Sequence, residues 1–329
     1  MATKRLRNFL SIPSIFAFIY KRYKAQKKFM QGTILADLED FIANNDHTLT
    51  EKDIEKIRFY YGLAVPVIGQ FYGELRGYQL STTDINSLTY LGGTTGLFDD
   101  FFDEDHTSKE QLTKMLTHPN LKDAQTPNEK LFLQFYTKAL NHPNANWIKE
   151  YYLAGMEAQV QSEKQLRPGL TQEEIAKITR QKGGIFILLY RCALEGEISE
   201  KEKELLFQIG FLGQLENDTF DIYKDYHGGI HTLATTTKSI AELRATYKSL
   251  MSRAFQLIDE MEFSEKNKKK FSRLLAVVAT RGLVCLDQLQ SLDRGDFEPS
   301  AYSKDQLICD MGKTRNALKW INYYLNWDK

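Results

Sequence analysis

Acidic side chains are concentrated in one stretch of the chain, residues 99–105, where five of seven residues are Asp or Glu and phenylalanines lie among them. In a helix, Asp99 and Asp103 share one face and Asp100 flanks them. Like charges at this spacing repel each other, so this first acidic motif would be stabilised by a cation. Carboxylate oxygens without Cys or His ligands select hard ions, which predicts a Mg²⁺ or Mn²⁺ site.

A second acidic motif follows at residues 217–225. Asn217, Asp221 and Asp225 are spaced at i, i+4 and i+8, which places them on one stripe of a helix. The pattern Ser199-x-x-Glu202 predicts the start of that helix, and no proline interrupts it before Asp225. Oxygens on a stripe with apolar neighbours are costly to bury unpaired, and a metal ion would remove that cost.

The first motif alone leaves two interpretations open. A metal–diphosphate clamp is one, because Mg²⁺ keeps few protein ligands and usually bridges to phosphate oxygens. An acidic loop, or a helix end that runs into a linker, is the other. The second motif favours the metal site.

Together the motifs resemble those of the class I isoprenoid (terpenoid) synthase superfamily, most nearly its bacterial terpene synthases. Asp99-Asp100-x-x-Asp103 matches the aspartate-rich first motif. Asn217-Asp218-x-x-Asp221-x-x-x-Asp225 is similar to the second motif, Asn/Asp-Asp-x-x-Ser/Thr-x-x-x-Glu, with Asp in the middle and last positions. The segment from Gln214 to Asp221 also resembles the second motif of prenyl diphosphate synthases. The resemblance implies an all-α, single-domain helical bundle around a central apolar cavity.

Composition agrees with a globular protein and excludes several classes. Hydrophobic residues make up 42% of the 329 residues, charged residues 26%, and the formal net charge is zero. Nothing in this balance indicates a nucleic-acid partner. The cysteines Cys192, Cys285 and Cys309 have no paired spacing, which predicts a reducing, cytoplasmic location and no zinc site. No apolar run reaches the ~20 residues of a transmembrane helix.

The N-terminal segment, residues 1–30, is distinct from the predicted α domain, residues 31–329. Residues 1–28 hold eight Lys or Arg and no acid, with an apolar stretch between the charges. No small-residue cleavage site follows, so the segment does not fit a signal peptide. Such a segment could contact an anionic membrane surface. The resemblance instead implies that it folds over the domain and caps the cavity.

Basic side chains near the second motif are the predicted diphosphate ligands. The pattern Thr171-x-x-Glu174 opens a helix expected to reach about residue 194. Its Lys182-Gly183 resembles the Lys-Thr-Gly motif of prenyl diphosphate synthases, where the lysine touches the diphosphate, although Gly183 replaces the threonine. Arg180 is the next candidate, followed by Lys224 inside the motif. A solvated helix lysine is the alternative interpretation of Lys182.

The chemistry implied by the resemblance is ionisation of an allylic prenyl diphosphate, most simply a C15 or C20 substrate, with three Mg²⁺ ions held by the two motifs. Aromatic rings would stabilise the carbocation. Cyclisation or elimination would make the chain a terpene synthase. Attack by isopentenyl diphosphate, or joining of two allylic units, would make it a prenyl diphosphate synthase or a squalene- or phytoene-type synthase. A catalytically silent lipid-binding protein is an alternative function. A homodimer is an open possibility for the assembly. The predicted cavity-lining rings are Phe98, Phe102, Phe186 and Phe220.

Three departures bear on the subclass. Chain-elongating synthases carry two arginines after the first motif, whereas Asp105-His106-Thr107-Ser108 stands here, which favours a terpene synthase. Against this, the Arg-Tyr pair of terpene synthases is not evident, and Arg294 and Tyr302 are the nearest residues. The arginine expected before the second motif is replaced by Thr171.

The helices that should carry these motifs follow from apolar periodicity and capping residues. Gly92, Gly93 and Gly96 lie within the helix that delivers the first motif. Each weakens a helix by ~1 kcal/mol relative to Ala. Their presence predicts either that another segment approaches this helix closely or that the helix is broken here. The other helices are expected over residues 33–47, 126–142, 146–166, 199–225, 237–262, 265–292 and 304–327.

Overall fold

The computed structural model describes residues 2–32, 34–43, 49–103 and 107–327, with the backbone alone for residues 2–4, 40, 60 and 103. Every regular element in these residues is a helix, so the predicted all-α fold is confirmed. The α-helices are α1 (Ala2–Gln31), α2 (Ile34–Ala43), α3 (Glu51–Glu55), α4 (Val65–Arg76), α5 (Thr82–Asp103), α6 (Lys109–Thr117), α7 (Pro127–Ala139), α8 (Ala145–Ser162), α9 (Gln172–Cys192), α10 (Glu200–Phe220), α11 (Ile222–His227), α12 (Leu233–Thr236), α13 (Ile240–Glu260), α14 (Glu265–Leu292), α15 (Lys304–Leu307) and α16 (Thr314–Asn326). A π-helix covers Lys56–Ala64, and 3₁₀-helices cover Leu121–Asp123, Glu163–Leu166 and Pro299–Ala301.

The chain divides into two compact units, and each contains one acidic motif. The first-motif unit comprises Phe16–Met156 and Leu189–Glu197. The second-motif unit comprises Met1–Ile15, Glu157–Leu188 and Ile198–Lys329.

The core of the first-motif unit is built around α5, which packs against α7 and the π-helix. Its centre is a cluster of fully buried rings in which Phe98 contacts Tyr152 at 5.0 Å and Phe132 at 6.0 Å between ring centroids. Phe132 also contacts Phe101 at 5.2 Å. Aromatic pairs at these separations add stability beyond that of the buried area. The helix that carries the first motif is therefore fixed by the rings just before its acids.

Two glycines of α5 allow the π-helix to approach closely. A Cβ atom at Gly92 would overlap the backbone carbonyl oxygen of Tyr61, and one at Gly96 would lie 2.9 Å from the Tyr61 ring. Because α5 runs unbroken from Thr82 to Asp103, these glycines serve close packing and not a break. Of the two alternatives left by the sequence, the close approach is confirmed.

The core of the second-motif unit lies between α10, α13 and α14. Leu212 and Leu215 of α10 are buried with Tyr247 of α13. The buried Cys285 thiol donates to the Thr219 carbonyl oxygen at 3.4 Å, and Cys192, Cys285 and Cys309 are all free thiols.

The last predicted helix, 304–327, is wrong as a single element. It consists of α15 and α16, and a turn separates them. The Asp310 carboxylate accepts a hydrogen bond from the Gly312 backbone N–H at 2.8 Å, a local side-chain bond that competes with helical hydrogen bonds. The helix predicted for residues 265–292 is found with the same bounds, and the one predicted for 146–166 is α8 followed by the 3₁₀-helix Glu163–Leu166. The helices predicted for 126–142 and 237–262 are found with both ends shorter, as α7 and α13. Helix α2 ends at Ala43, beyond which residues 44–48 lie outside the described part.

The start of α5 is fixed by the fully buried Asp84 carboxylate. It accepts hydrogen bonds from the Tyr78 hydroxyl at 2.6 Å, His142 Nε2 at 3.0 Å and the Glu195 backbone N–H at 3.1 Å. His142 Nδ1 accepts from the Asn144 backbone N–H, so Nε2 carries the proton. Burial alone would raise the pKa of Asp84, but these donors outweigh it and lower the pKa to about 2.

We expect Asp84→Asn to destabilise the protein by about 2–4 kcal/mol, because the charged acceptor of a buried network is lost. A carboxyl with a lowered pKa stabilises the fold above its unfolded pKa, so the difference should be full above about pH 4 and vanish as the pH falls towards 2. Urea unfolding of both proteins at several pH values measures it. Asp123→Asn is the matched control, since the 3.1 Å ion pair of Asp123 with Lys114 is exposed and should contribute under ~1 kcal/mol. Equal losses in the two variants would contradict the role of the network.

Candidate functional site

The first motif lies in the last turns of α5. Asp100 is buried with 8% of its surface exposed, and Asp99 is half-buried. The Asp103 backbone ends the helix, but its side chain lies outside the described part of the chain, as do Glu104 and Asp105. The shared face predicted for Asp99 and Asp103 therefore stays a prediction, whereas their common helix is confirmed.

A lysine that the sequence analysis did not single out lies beside the first motif. Lys56 Nζ is 3.8 Å from Asp100 Oδ1 and 3.4 Å from Asp53 Oδ1. Burial on its own would lower the pKa of the Lys56 ammonium, but Asp100, Asp53 and Asp99 outweigh it and raise the pKa. The only sequence signal was the i, i+3 spacing to Asp53, because the contact with Asp100 joins two separate elements.

Two tyrosine hydroxyls lie one turn before the motif acids. The Tyr152 hydroxyl donates to Thr94 Oγ1 at 2.8 Å, and the Tyr190 hydroxyl is 2.6 Å from Thr95 Oγ1. Burial raises the pKa of both hydroxyls, and the nearby Asp99 carboxylate raises them further. Both groups therefore remain protonated hydrogen-bond donors at neutral pH.

The second motif spans a break between two helices. The single helix predicted up to Asp225 is wrong, because α10 ends at Phe220 and α11 begins at Ile222. Asp221 lies between them with φ −91° and ψ 10°. The i+4 register nevertheless continues, since the Asp221 N–H donates to Asn217 O at 2.9 Å and the Asp225 N–H donates to Asp221 O at 2.8 Å.

Burial within this motif differs from the prediction. Asn217 is exposed and Asp221 is half-buried, whereas Asp225 and the neighbouring Asp218 have only 8% and 4% of their surface exposed. Gln214 Nε2 donates to Asp218 Oδ1 at 2.8 Å. Sequence reasoning left Asp218 off the polar stripe. Its i, i+7 spacing to Asp225, which returns to nearly the same helix face, was the available signal.

The buried acids of the second motif are electrostatically strained. Burial, together with the charges of Asp225 and Asp221, raises the pKa of Asp218 to about 7. Burial and Asp221 raise the pKa of Asp225 to about 6. Lys182 opposes both shifts, and Lys224 opposes the shift of Asp225. The cluster thus favours the approach of a cation, which would stabilise the charged carboxylates.

Lys182 is brought to the motif by a close crossing of α9 and α10. A Cβ atom at Gly183 would overlap the carbonyl oxygen of Gly210, and one at Gly210 would overlap that of Gly183. The crossing brings Lys182 near enough to the second motif for its charge to act on Asp218 and Asp225, whereas its role as a diphosphate ligand stays a prediction. Arg180 lies exposed on α9, and its diphosphate role stays a prediction.

Glu216 is a further buried acid that the sequence analysis missed. Burial raises its pKa to about 7, although Arg281 and Tyr247 oppose the shift. Its Oε1 atom is 3.8 Å from Arg281 Nε and has no hydrogen-bond partner among the described residues. Glu216 thus differs from Asp218, because its charged neighbour is an arginine outside the motif.

The predicted cavity rings occupy different environments. Phe98 belongs to the packed ring cluster of the first-motif unit, and Phe102 is half-buried against it at 5.4 Å between centroids. Phe186 and Phe220 are half-buried in the second-motif unit, where the Arg281 guanidinium lies 5.5 Å from the Phe220 ring centroid. Their role as cavity walls stays a prediction.

The side chains of the two motifs offer oxygen ligands but no complete metal site of their own in the described part of the chain. Among the residues whose placement is described, no three His, Cys, Asp or Glu side chains are close enough to form a metal cage. The available ligands are carboxylate and amide oxygens, which suit Mg²⁺, and Mg²⁺ is usually held by one or two carboxylates plus substrate phosphates. The residues fit an ion that binds together with a diphosphate.

Comparisons with known proteins gave structural likenesses alone. No protein-family model and no curated protein matches the chain. A solved structure of a dehydrosqualene synthase in complex with ligand matches with 13% identity over 94% of this chain and 97% of that chain, at a TM-score of 0.47. A geranylgeranyl pyrophosphate synthase structure matches with 13% identity over 77% and 98%, at a TM-score of 0.45. Both names fall within the superfamily that the acidic motifs resemble.

Proposed function

We propose that the chain is a Mg²⁺-dependent class I terpene synthase that ionises an allylic prenyl diphosphate and releases diphosphate. The observation that carries this proposal is the buried acid cluster of Asp218 and Asp225 beside Lys182. Buried carboxylates with raised pKa values, and a lysine near enough for its charge to act on both, suit a site that takes a metal ion and an anion together. A solvated acidic surface would have neither property.

The ligands for Mg²⁺ would come from both motifs. Asp99, Asp100 and Asp103 are the candidates of the first, and Asn217, Asp221 and Asp225 those of the second. Asp218 is a further candidate that we propose because it is buried near Asp225. When bound, Mg²⁺ supplies positive charge that stabilises the diphosphate as it leaves.

The protein's own groups would act on the leaving group and on the hydrocarbon. The allylic carbon–oxygen bond breaks with its electron pair on the diphosphate, and the Lys182 ammonium can donate to the oxygen that gains charge. Lys224, on α11, is a second candidate donor. The carbocation left behind requires apolar walls with aromatic faces, for which Phe186 and Phe220 are the candidates in the second-motif unit.

The sequence after the first motif supports a terpene synthase over a chain-elongating enzyme. Elongation needs a second diphosphate site, and the arginine pair expected for it is replaced by Asp105-His106-Thr107-Ser108. A single bound diphosphate is enough for cyclisation or elimination.

We expect the protein with Mg²⁺ to convert a single allylic diphosphate into a hydrocarbon or alcohol. C10, C15, C20 and C25 diphosphates should each be incubated with and without isopentenyl diphosphate, followed by mass spectrometry of the organic and aqueous phases. Product from one allylic substrate alone supports the proposal, and chelation of Mg²⁺ should abolish it. Longer diphosphates formed only with isopentenyl diphosphate, or a C30 or C40 hydrocarbon, would replace the terpene synthase with a prenyltransferase.

A measurement of pyrophosphate binding distinguishes a protein that holds the site from a catalytically silent protein that lacks it. Pyrophosphate with Mg²⁺, at about 100 times its dissociation constant, should stabilise a protein with this site by ~2.7 kcal/mol. If the protein formed no product and pyrophosphate with Mg²⁺ caused no thermal shift, both the proposed enzyme activity and its site would be overturned.

A further inference from the structure

Polar side chains of helix α1 are buried against other segments of the chain. In the second-motif unit, the buried Asn8 amide donates to the backbone carbonyl of Trp327 at 2.8 Å. In the first-motif unit, the buried Gln26 amide donates to Gly62 O at 2.9 Å and to Thr89 Oγ1 at 2.8 Å. Buried polar groups of this kind are satisfied by specific hydrogen bonds, so the inward side of the helix is fixed.

The opposite side of α1 is apolar and exposed, the reverse of an ordinary surface helix. At 3.6 residues per turn, the buried positions Asn8, Ser11, Ile15, Gln26 and Met30 fall within an arc of about 100°. The exposed apolar positions fall within the adjacent arc of about 140°. They are Leu6 (56% exposed), Phe9 (59%), Leu10 (67%), Phe16 (46%), Tyr20 (65%) and Tyr23 (39%). Single exposed apolar residues are common, but a row of six along one helix indicates an interaction surface.

The charge of this helix selects among partners. The chain has 43 basic and 43 acidic residues, yet residues 1–28 hold eight basic residues and no acid. Lys24 and Lys27 are exposed within the arc of the exposed rings. A second copy of the same helix would bring like charges together, which disfavours self-association through this face. A lipid surface with anionic headgroups would accommodate the apolar rings and attract the basic side chains.

We propose that the exposed face of α1 binds an anionic lipid surface, with the helix lying in the interface. Aromatic and leucine side chains with flanking Lys and Arg are the features that hold a helix at the boundary between headgroups and acyl chains. Each basic residue near an anionic leaflet contributes roughly a fivefold gain in affinity. In the described part of the chain, no helix is long and apolar enough to cross a bilayer.

Vesicle flotation with the full chain tests the apolar contribution. The protein should float with vesicles of phosphatidylcholine and phosphatidylglycerol (3:1), and much less with phosphatidylcholine alone. Phe9→Ser should weaken binding about tenfold or more, since a large apolar side chain no longer enters the interface. Phe59→Ser is the control because Phe59 is equally exposed (61%) but lies on the π-helix. Unchanged thermal unfolding of both variants would establish that they fold.

Charge reversal tests the electrostatic contribution. Lys24→Glu with Lys27→Glu should abolish binding to the anionic vesicles, and 0.5 M salt should weaken binding of the wild type. Lys266→Glu with Lys269→Glu is the matched control, because these exposed lysines of α14 have the same spacing. The proposal is overturned if the wild type does not float, or if the α1 variants float like their controls. It is also overturned if sedimentation shows a dimer that Phe9→Ser converts to a monomer, since a second copy would then cover this face.

Discussion

Asp218→Asn should lower Mg²⁺-dependent turnover by about 10²–10³-fold, a loss comparable to removing one preorganised charge-stabilising group. The Asp218 carboxylate is buried beside Asp225 and within the field of Lys182. The amide keeps the shape and an acceptor for Gln214, but removes the charge that would attract the metal. Steady-state kinetics with the substrate found in the product assay measures the loss.

The same substitution should leave the fold as stable as the wild type or more stable. A carboxyl whose folded pKa is raised to about 7 retains its proton in the fold at a pH where the unfolded chain has released it. The fold therefore loses stability as the pH rises from about 4 to 7, and that loss reaches about 2–4 kcal/mol. Without metal, Asp218→Asn should remove this pH dependence, which urea unfolding in a chelator would measure.

Glu216→Gln is the matched control for the loss of turnover. Glu216 is buried on the same helix and its pKa is also raised to about 7, but its charged neighbour is Arg281. The variant should therefore retain turnover and the Mg²⁺–pyrophosphate thermal shift. Equal losses of turnover in the two variants would mean that any buried acid of α10 matters, and that Asp218 has no special role.

The starts of several helices were predictable from the sequence, because a helix cap depends only on residues close to one another in the chain. Ser199 accepts the hydrogen bond that starts α10, and the Thr171 hydroxyl accepts a hydrogen bond from the Glu174 backbone N–H at the start of α9, as the two capping patterns predict. Such caps act within four residues. The all-α fold follows from many of these signals combined with apolar periodicity.

What the sequence could not predict depends on contacts between distant segments. The approach of Lys56 to Asp100 needs the π-helix to pack on α5, and no pattern within either segment encodes that distance. The break at Asp221 is similar, because the residues around it are compatible with a continuing helix. Burial of Asp218 and Glu216 likewise follows from packing against neighbouring helices, and a periodicity argument on one helix does not reach it.

Gly210→Ala should destabilise the protein by about 1–3 kcal/mol or more, the usual cost of overpacking a rigid contact. The added Cβ would overlap backbone atoms of Gly183 and Gly184, which cannot rotate away as a side chain would. The helices α9 and α10 would have to separate, which moves Lys182 relative to Asp218 and Asp225. Urea unfolding should report the lost stability, and the Mg²⁺–pyrophosphate thermal shift should decrease with it.

Gly213→Ala separates this packing effect from the ordinary effect of a glycine in a helix. Gly213 lies three residues further along α10, is exposed, and has no atom within 4 Å of a built Cβ. Alanine there should raise stability by up to ~1 kcal/mol through helix propensity, and leave the pyrophosphate shift unchanged. If both variants were stabilised equally, the crossing of α9 and α10 would tolerate a methyl group, and close packing at Gly210 would not be what holds Lys182 near the second motif.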